Sequence, residues 1–186
     1  KLPDVVLGGM VGVHVLTHKA EATTKEKWEA AQPKRVKIEE EKSIRGALSV
    51  IDAKTGKVAD ALEGEDLKVV KASAGTTSVQ KMGGFKADKW SGDAQLFWIG
   101  AKKDATLTLE FEAKTAGKFD LTVVTTMASD YATVQFGVDD KPVGKPLDFY
   151  HTPDVVTSGL QKLGTVELKE GTHTLTLTIT GANPSA

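Results

Sequence analysis

The sequence predicts an all-β protein, an antiparallel β-sandwich over residues 62–186 preceded by a β-rich N-terminal extension over residues 1–61. Three observations carry this. Apolar residues alternate with polar ones at the two-residue period of a strand, as in Leu107, Leu109 and Phe111, in Phe119, Leu121 and Val123, and in Leu175, Leu177 and Ile179. Gly- and Asp-containing turns punctuate these runs at short, regular intervals. Only one segment, residues 23–32, reads as a helix, which argues against a parallel sheet built from alternating strands and helices.

In chain order, residues 2–18 are rich in Val and Leu, and Val11, Val13 and Val15 alternate with Gly12 and His14 as in a strand. Gly8 and Gly9 read as a turn or bulge. His14 and His18 stand four apart, a metal-binding spacing on a helix, but the β-branched residues oppose a helix there and favour solvent-facing or capping roles. The run from Val5 to Leu16 is short of the roughly 20 residues that span a bilayer. It also lacks a signal peptide's basic start and small-residue cleavage site. Thr23 and Glu26 have capping-box spacing, Trp28 reads as a packing anchor, and Pro33 stops the helix.

Val36 and Ile38 alternate with charged residues, and Glu39 to Lys42 reads as a solvated loop. The stretch Ala47 to Asp52 is a strand, Asp52 to Lys57 a hairpin turn with Gly56 at positive φ, and Val58 begins the return strand. Further strands are expected at Leu67–Val70, Thr77–Met82, Gln95–Ile99, Thr106–Glu112, Phe119–Val123 and Thr133–Val138, and within 159–168 and 175–179. The segment Asp139 to Pro142 is expected to turn the chain.

Composition narrows function. The chain has 186 residues, enough to bury a core unaided, with 24 Lys+Arg, 25 Asp+Glu and a net charge of −1. Nothing forms a basic stripe for nucleic acid or a polybasic membrane anchor. The absence of Cys excludes disulfides, thiol catalysis and thiolate metal sites. A start at Lys1 leads us to expect a chain processed or cut from a larger protein.

Residues 62–186 carry a resemblance. Leu62-Glu63-Gly64-Glu65-Asp66-Leu67 is similar to the first-strand motif of galactose-binding-like jelly rolls, shared by carbohydrate-binding modules of the CBM6 and CBM35 type. The motifs Trp90 to Leu96, Ala116 to Phe119, Ala128 to Gln135, Leu147 to Tyr150, Leu163-Gly164, Gly171 to Leu175 and Gly181 to Pro184 follow in order. Together they resemble a module appended to large secreted proteins of planctomycete-like bacteria and to DUF2961-type glycoside hydrolases. The resemblance implies a jelly-roll fold, export to a secreted, periplasmic or cell-surface location, and sugar binding or a spacer role. It also implies a last strand beyond Pro184 that this sequence lacks, for which Leu2–Leu7 is a possible substitute.

Candidate site residues follow. Glu63 and Glu65 are two apart, so on a strand both carboxylates share a face. Such hard oxygen ligands suit Ca²⁺, and the resembled modules use a pair of this kind for structural calcium; the same pair also reads as a solvated acidic edge. Sugar rings stack on aromatic faces while carboxylates and amides bind hydroxyls. Trp90, Asp130, Tyr131, Gln135 and Tyr150 supply both kinds of group, with Asp93 and Gln95 near Trp90. The competing reading makes these residues packing elements, and Trp98 reads as core. Glu110, Glu112 and Asp120 read as surface charges, and no nucleophile elbow or phosphate loop is present. The expectation is a non-catalytic module that takes a polysaccharide or glycan and joins other domains or chains. A protein-interaction or spacer module is the alternative, and a hydrolase the remote one.

Overall fold

The structure, a computed structural model, describes residues 13–16, 51–58 and 61–186. The helix expected at 23–32 and the substitute strand at 2–7 lie outside the described residues. Among the described residues twelve strands follow in order: β1 (Val13–Leu16), β2 (Lys68–Ala72), β3 (Thr76–Lys81), β4 (Ala94–Ile99), β5 (Thr106–Ala113), β6 (Gly117–Val123), β7 (Thr126–Met127), β8 (Ala132–Val138), β9 (Lys141–Asp148), β10 (Val156–Thr157), β11 (Gln161–Leu168) and β12 (Gly171–Ala182).

One layer is a five-stranded sheet in the order β2-β5-β12-β8-β9. The other is assembled from three smaller pieces, β1-β6-β11, β3-β4 and β7-β10. All these strand pairs are antiparallel. Neighbours are often distant in sequence, as jelly-roll connectivity requires; β12 lies between β5 and β8. The fold is therefore the all-β sandwich that the alternation predicts.

The alternation explains the layers. On β5, Leu107, Leu109 and Phe111 are buried, while Glu110 and Glu112 turn the other way. On β12, Leu175, Leu177 and Ile179 do the same, in register with Leu109 and Leu107 on one side and with Phe136 and Val134 on the other. From the opposite layer, Leu96, Trp98, Phe119, Leu121, Val123 and Leu163 meet them in one core. Each fully buried side chain of this size contributes about 1.5–3 kcal/mol.

Three strands depart from expectation, the two-residue β7 and β10 and the longer β9. The chain turns at Asp139-Asp140, as predicted, but continues as β9 through Pro142, Gly144 and Pro146. Proline cannot donate to a ladder, which obscures a strand in the sequence but is tolerated at a sheet edge. β9 occupies such an edge. Asp139 and Asp140 both take positive φ, 47° and 63°. That conformation suits a two-residue hairpin, and Asp tolerates it better than most residues.

β1 pairs with β6 from Val13↔Val123 to Leu16↔Asp120 and so covers an edge of β6. The 51–58 hairpin is formed as expected. Ile51 pairs with Val58, Oδ1 of Asp52 accepts from the N–H groups of Lys54 and Thr55, and Gly56 has φ 67°.

Candidate functional site

The segment 82–93 between β3 and β4 folds over the outer face of the second layer. The faces are assigned by alternation on β4. Leu96 and Trp98 enter the main core, so Gln95 points the other way, where it is fully buried. Met82, Trp90 and Val124 form a second, small cluster, with Phe85 and Val155 packed against it. The Phe85 and Trp90 rings lie 6.0 Å apart, tilted at 54°.

A polar chain runs beneath this cluster. Nε1 of Trp90 donates to Oγ1 of Thr126 at 2.9 Å. Thr126 donates to Oε1 of Gln95, and Nε2 of Gln95 donates to Oε1 of Gln80. A second anchor is Asp88, whose Oδ2 accepts from the N–H and Oγ1 of Thr157 at 2.9 and 2.7 Å. These contacts hold the segment against β7 and β10.

Between this segment and the 51–58 hairpin lies a cleft of about 860 Å³. Its lining includes Asp52, Phe85, Lys86, Asp88, Trp90 and Asp93. The hairpin is held there by two bonds, from the N–H of Gly92 to the carbonyl of Gly56 (2.8 Å) and from the N–H of Val58 to Oγ of Ser91 (3.0 Å). The exposed carboxyl of Asp52 lies below its ordinary pKa because the N–H groups of Thr55 and Lys54 stabilise its charge.

Glu63 and Glu65 sit behind the cleft wall. They lie not on a strand but at a 3-10 turn, Glu63 immediately before it and Glu65 within Gly64–Asp66. Glu63 is only 5% exposed. Its Oε1 accepts from Oγ of Ser91, while its Oε2 and the Oε2 of Glu65 are buried without a hydrogen-bond partner. A Cβ added at Gly92 would stand 3.4 Å from Oε1 of Glu65. Burial is the main force raising the Glu65 carboxyl above its ordinary pKa; its own backbone N–H opposes this and the nearby Glu63 charge adds to it. Lys57 pairs with Asp66 at 3.1 Å rather than with either glutamate, and that bond holds its ammonium pKa up.

The other sequence candidates divide. Trp90 is 4% exposed, with its indole N–H turned inward, and joins Gln95 through Thr126 as part of the interior. Asp93 lines the cleft. Asp130 is exposed, Tyr131 is buried in the main core, and Tyr150 is half-buried; the Ala128–Tyr150 bridge brings the three to one rim. There the N–H of Tyr150 donates to Asp148, which also accepts from Asn183. Gln135 lies apart from that rim, at the register shift between β8 and β9, where its amide donates to the carbonyls of Val143 and Gly144 at 3.0 and 3.3 Å.

Sequence reasoning missed Phe85, Asp88 and the docking of Asp52. A signal was present. The stretch between the strands expected at Thr77–Met82 and Gln95–Ile99 is a long one, and long loops on a sandwich tend to carry function.

No family model matches the chain, and no curated protein matches it. Among solved structures, the chain is similar to a Paenibacillus xanthan lyase, with 17% identity and a TM-score of 0.57. The match covers 66% of this chain and 11% of the lyase. It is also matched to a Podospora anserina GH26-CBM35 β-(1,4)-mannanase, with 15% identity, a TM-score of 0.37 and coverage of 65% and 27%. The chain thus spans a small part of each of these proteins. The lyase likeness supports the β-sandwich fold.

Proposed function

We propose that this chain is a non-catalytic, carbohydrate-binding-like module of a larger exported protein, and that its glycan site is the cleft between residues 51–56 and 82–93. One observation carries the reading: the cleft places the half-buried ring of Phe85 among Asp52, Asp88 and Asp93. A sugar needs this combination, an apolar face for its ring and acceptors for its hydroxyls. Its volume falls within the usual range for small-molecule sites, roughly 300–1,000 Å³. Trp90 supports the site from below, and the rim of Asp130, Tyr131 and Tyr150 is not needed for it.

Glu63 and Glu65 would supply two oxygen ligands to a structural Ca²⁺. Their two orphaned buried carboxylate oxygens are hard ligands lacking a partner, and such burial of charge is unfavourable without a cation. The ion would supply the positive charge that fixes the 3-10 turn behind Gly92 and so the back of the cleft.

The test is affinity electrophoresis of the whole chain against a panel of neutral and acidic polysaccharides, with Phe85→Ala beside it. Retardation by one polysaccharide that Phe85→Ala abolishes supports the reading. No retardation by any member overturns it in favour of a spacer or protein-interaction module, a second reading favoured by exposed Val69 and Val70 on the edge strand β2.

A further inference from the structure

At the start of β12, far in sequence from the cleft segment, His173 is enclosed by three other parts of the chain. Nδ1 lies 2.6 Å from Oδ2 of Asp139 in the β8–β9 turn. Nε2 lies 2.9 Å from the backbone carbonyl of Lys169, at the β11–β12 turn. The Phe111 ring on β5 lies 5.7 Å away, tilted at 33°. The imidazole is 10% exposed and Asp139 is 47% exposed.

The chemistry of the partners decides the protonation. A peptide carbonyl only accepts, and an ionised carboxylate only accepts. A neutral imidazole has one N–H, so one of its nitrogens would face an acceptor with a lone pair. Only the imidazolium donates to both. Asp139 is fixed independently. Its Oδ1 accepts from the N–H of Thr174 at 3.0 Å, and its own N–H donates to the carbonyl of Thr174. The ring therefore cannot relieve a clash by a small movement of Asp139 without breaking the turn.

We propose that His173 is a proton-dependent staple, which ties the β8–β9 turn to the β11–β12 turn when doubly protonated and releases one of them when it loses a proton. The charged groups acting on the ring are Asp139 from the β8–β9 turn and Glu112 from β5; Lys169 acts through its carbonyl. Glu112 is itself held by Oγ1 of Thr172. The Lys169 carbonyl first, then the Asp139 bond, raise the His173 pKa above its ordinary value, and burial opposes them. Stability from the staple is thus fully present below the unfolded value of about 6.5 and is lost as pH rises through the folded one. At the acid end, burial acts to raise Asp139, but the Thr174 N–H and His173 outweigh it and hold its carboxyl low. The staple then persists until Asp139 is protonated.

Proton NMR of the whole chain, titrated from pH 5 to 9, tests this. The imidazole C–H resonance assigned by its loss in His173→Gln should titrate above 6.5, and the amide signals of Asp139 and Thr174 should follow the same curve. Asp139→Asn should move that midpoint down. In thermal unfolding, wild type should lose more than His173→Gln across the titration. A His173 midpoint at or below the ordinary value, or turn amides that ignore it, would overturn the staple. Equal pH slopes in wild type and His173→Gln would do the same.

Discussion

Nε1 of Trp90 donates to Oγ1 of Thr126 across 36 residues of sequence, and both side chains are buried. This bond joins the cleft segment to β7 and continues through Gln95 to Gln80. Thr126→Val keeps the volume and removes the acceptor. The indole N–H is then buried without a partner, which costs about 1–3 kcal/mol. Thr126→Ser keeps the hydroxyl and should lose less. Urea unfolding of the three proteins checks the order, and equal midpoints for Val and Ser would show that the bond contributes nothing.

Gly144 presents a backbone requirement rather than a polar one. It has φ 68°, and a Cβ there would come within 2.5 Å of the carbonyl oxygen of Leu163. β9 thus rests directly on β11. Gly144→Ala incurs left-handed strain of about 1–2 kcal/mol and must also push two strands apart. Gly56, also left-handed at φ 67°, has nothing within 4 Å of its Cβ position. Gly56→Ala should therefore be the milder change by at least about 1 kcal/mol in denaturant unfolding. Equal losses would place the effect of Gly144 in φ alone.

The sandwich was legible because its strands bury one face. Leu107, Leu109 and Phe111 alternate because one face of their strand enters the core, whereas the order of the strands in the sheet is not written in that alternation. The site was less legible. Trp90 and Gln95 look alike from sequence whether they point to solvent or inward, since a polar network can satisfy an indole N–H as well as water does. Gln135 shows the same ambiguity, because a bulge in β9 offers the carbonyls of Val143 and Gly144 to an amide. The cleft depends on a hairpin at 51–58 meeting a loop at 82–93, and no local pattern records such a meeting. The Glu63–Glu65 spacing did mark a pair of carboxylates, yet their burial comes from Ser91 and Gly92, nearly thirty residues on.

Gln135 yields a test that separates support from recognition. Its amide donates to Val143 and Gly144 across the register shift. Gln135→Ala should lower stability by about 1 kcal/mol, a typical net hydrogen-bond contribution, while leaving polysaccharide retardation unchanged. Loss of retardation at unchanged stability would instead make Gln135 a ligand contact.

Glu65 links pH, metal and stability. Its carboxyl is raised above the ordinary value mainly by burial and further by Glu63. Without metal, the folded state then holds a proton more tightly than the unfolded chain. Stability should increase as pH falls from 7 through the raised folded value, and the gain should be complete below the unfolded value near 4.3. Glu65→Gln removes the charge and should flatten this slope. Without metal at pH 7 the variant should be the more stable of the two, and saturating Ca²⁺ should reverse that order. It raises the wild-type midpoint by an amount set by the ion's concentration over its dissociation constant, about 2.7 kcal/mol at a hundredfold excess, and leaves Glu65→Gln nearly unmoved. Thermal unfolding in EGTA and in millimolar Ca²⁺, for both proteins at pH 5 and 7, gives all the comparisons. A Ca²⁺ shift of equal size in the variant would place the ion elsewhere. A slope in EGTA that survives Glu65→Gln would assign the acid stabilisation to another group.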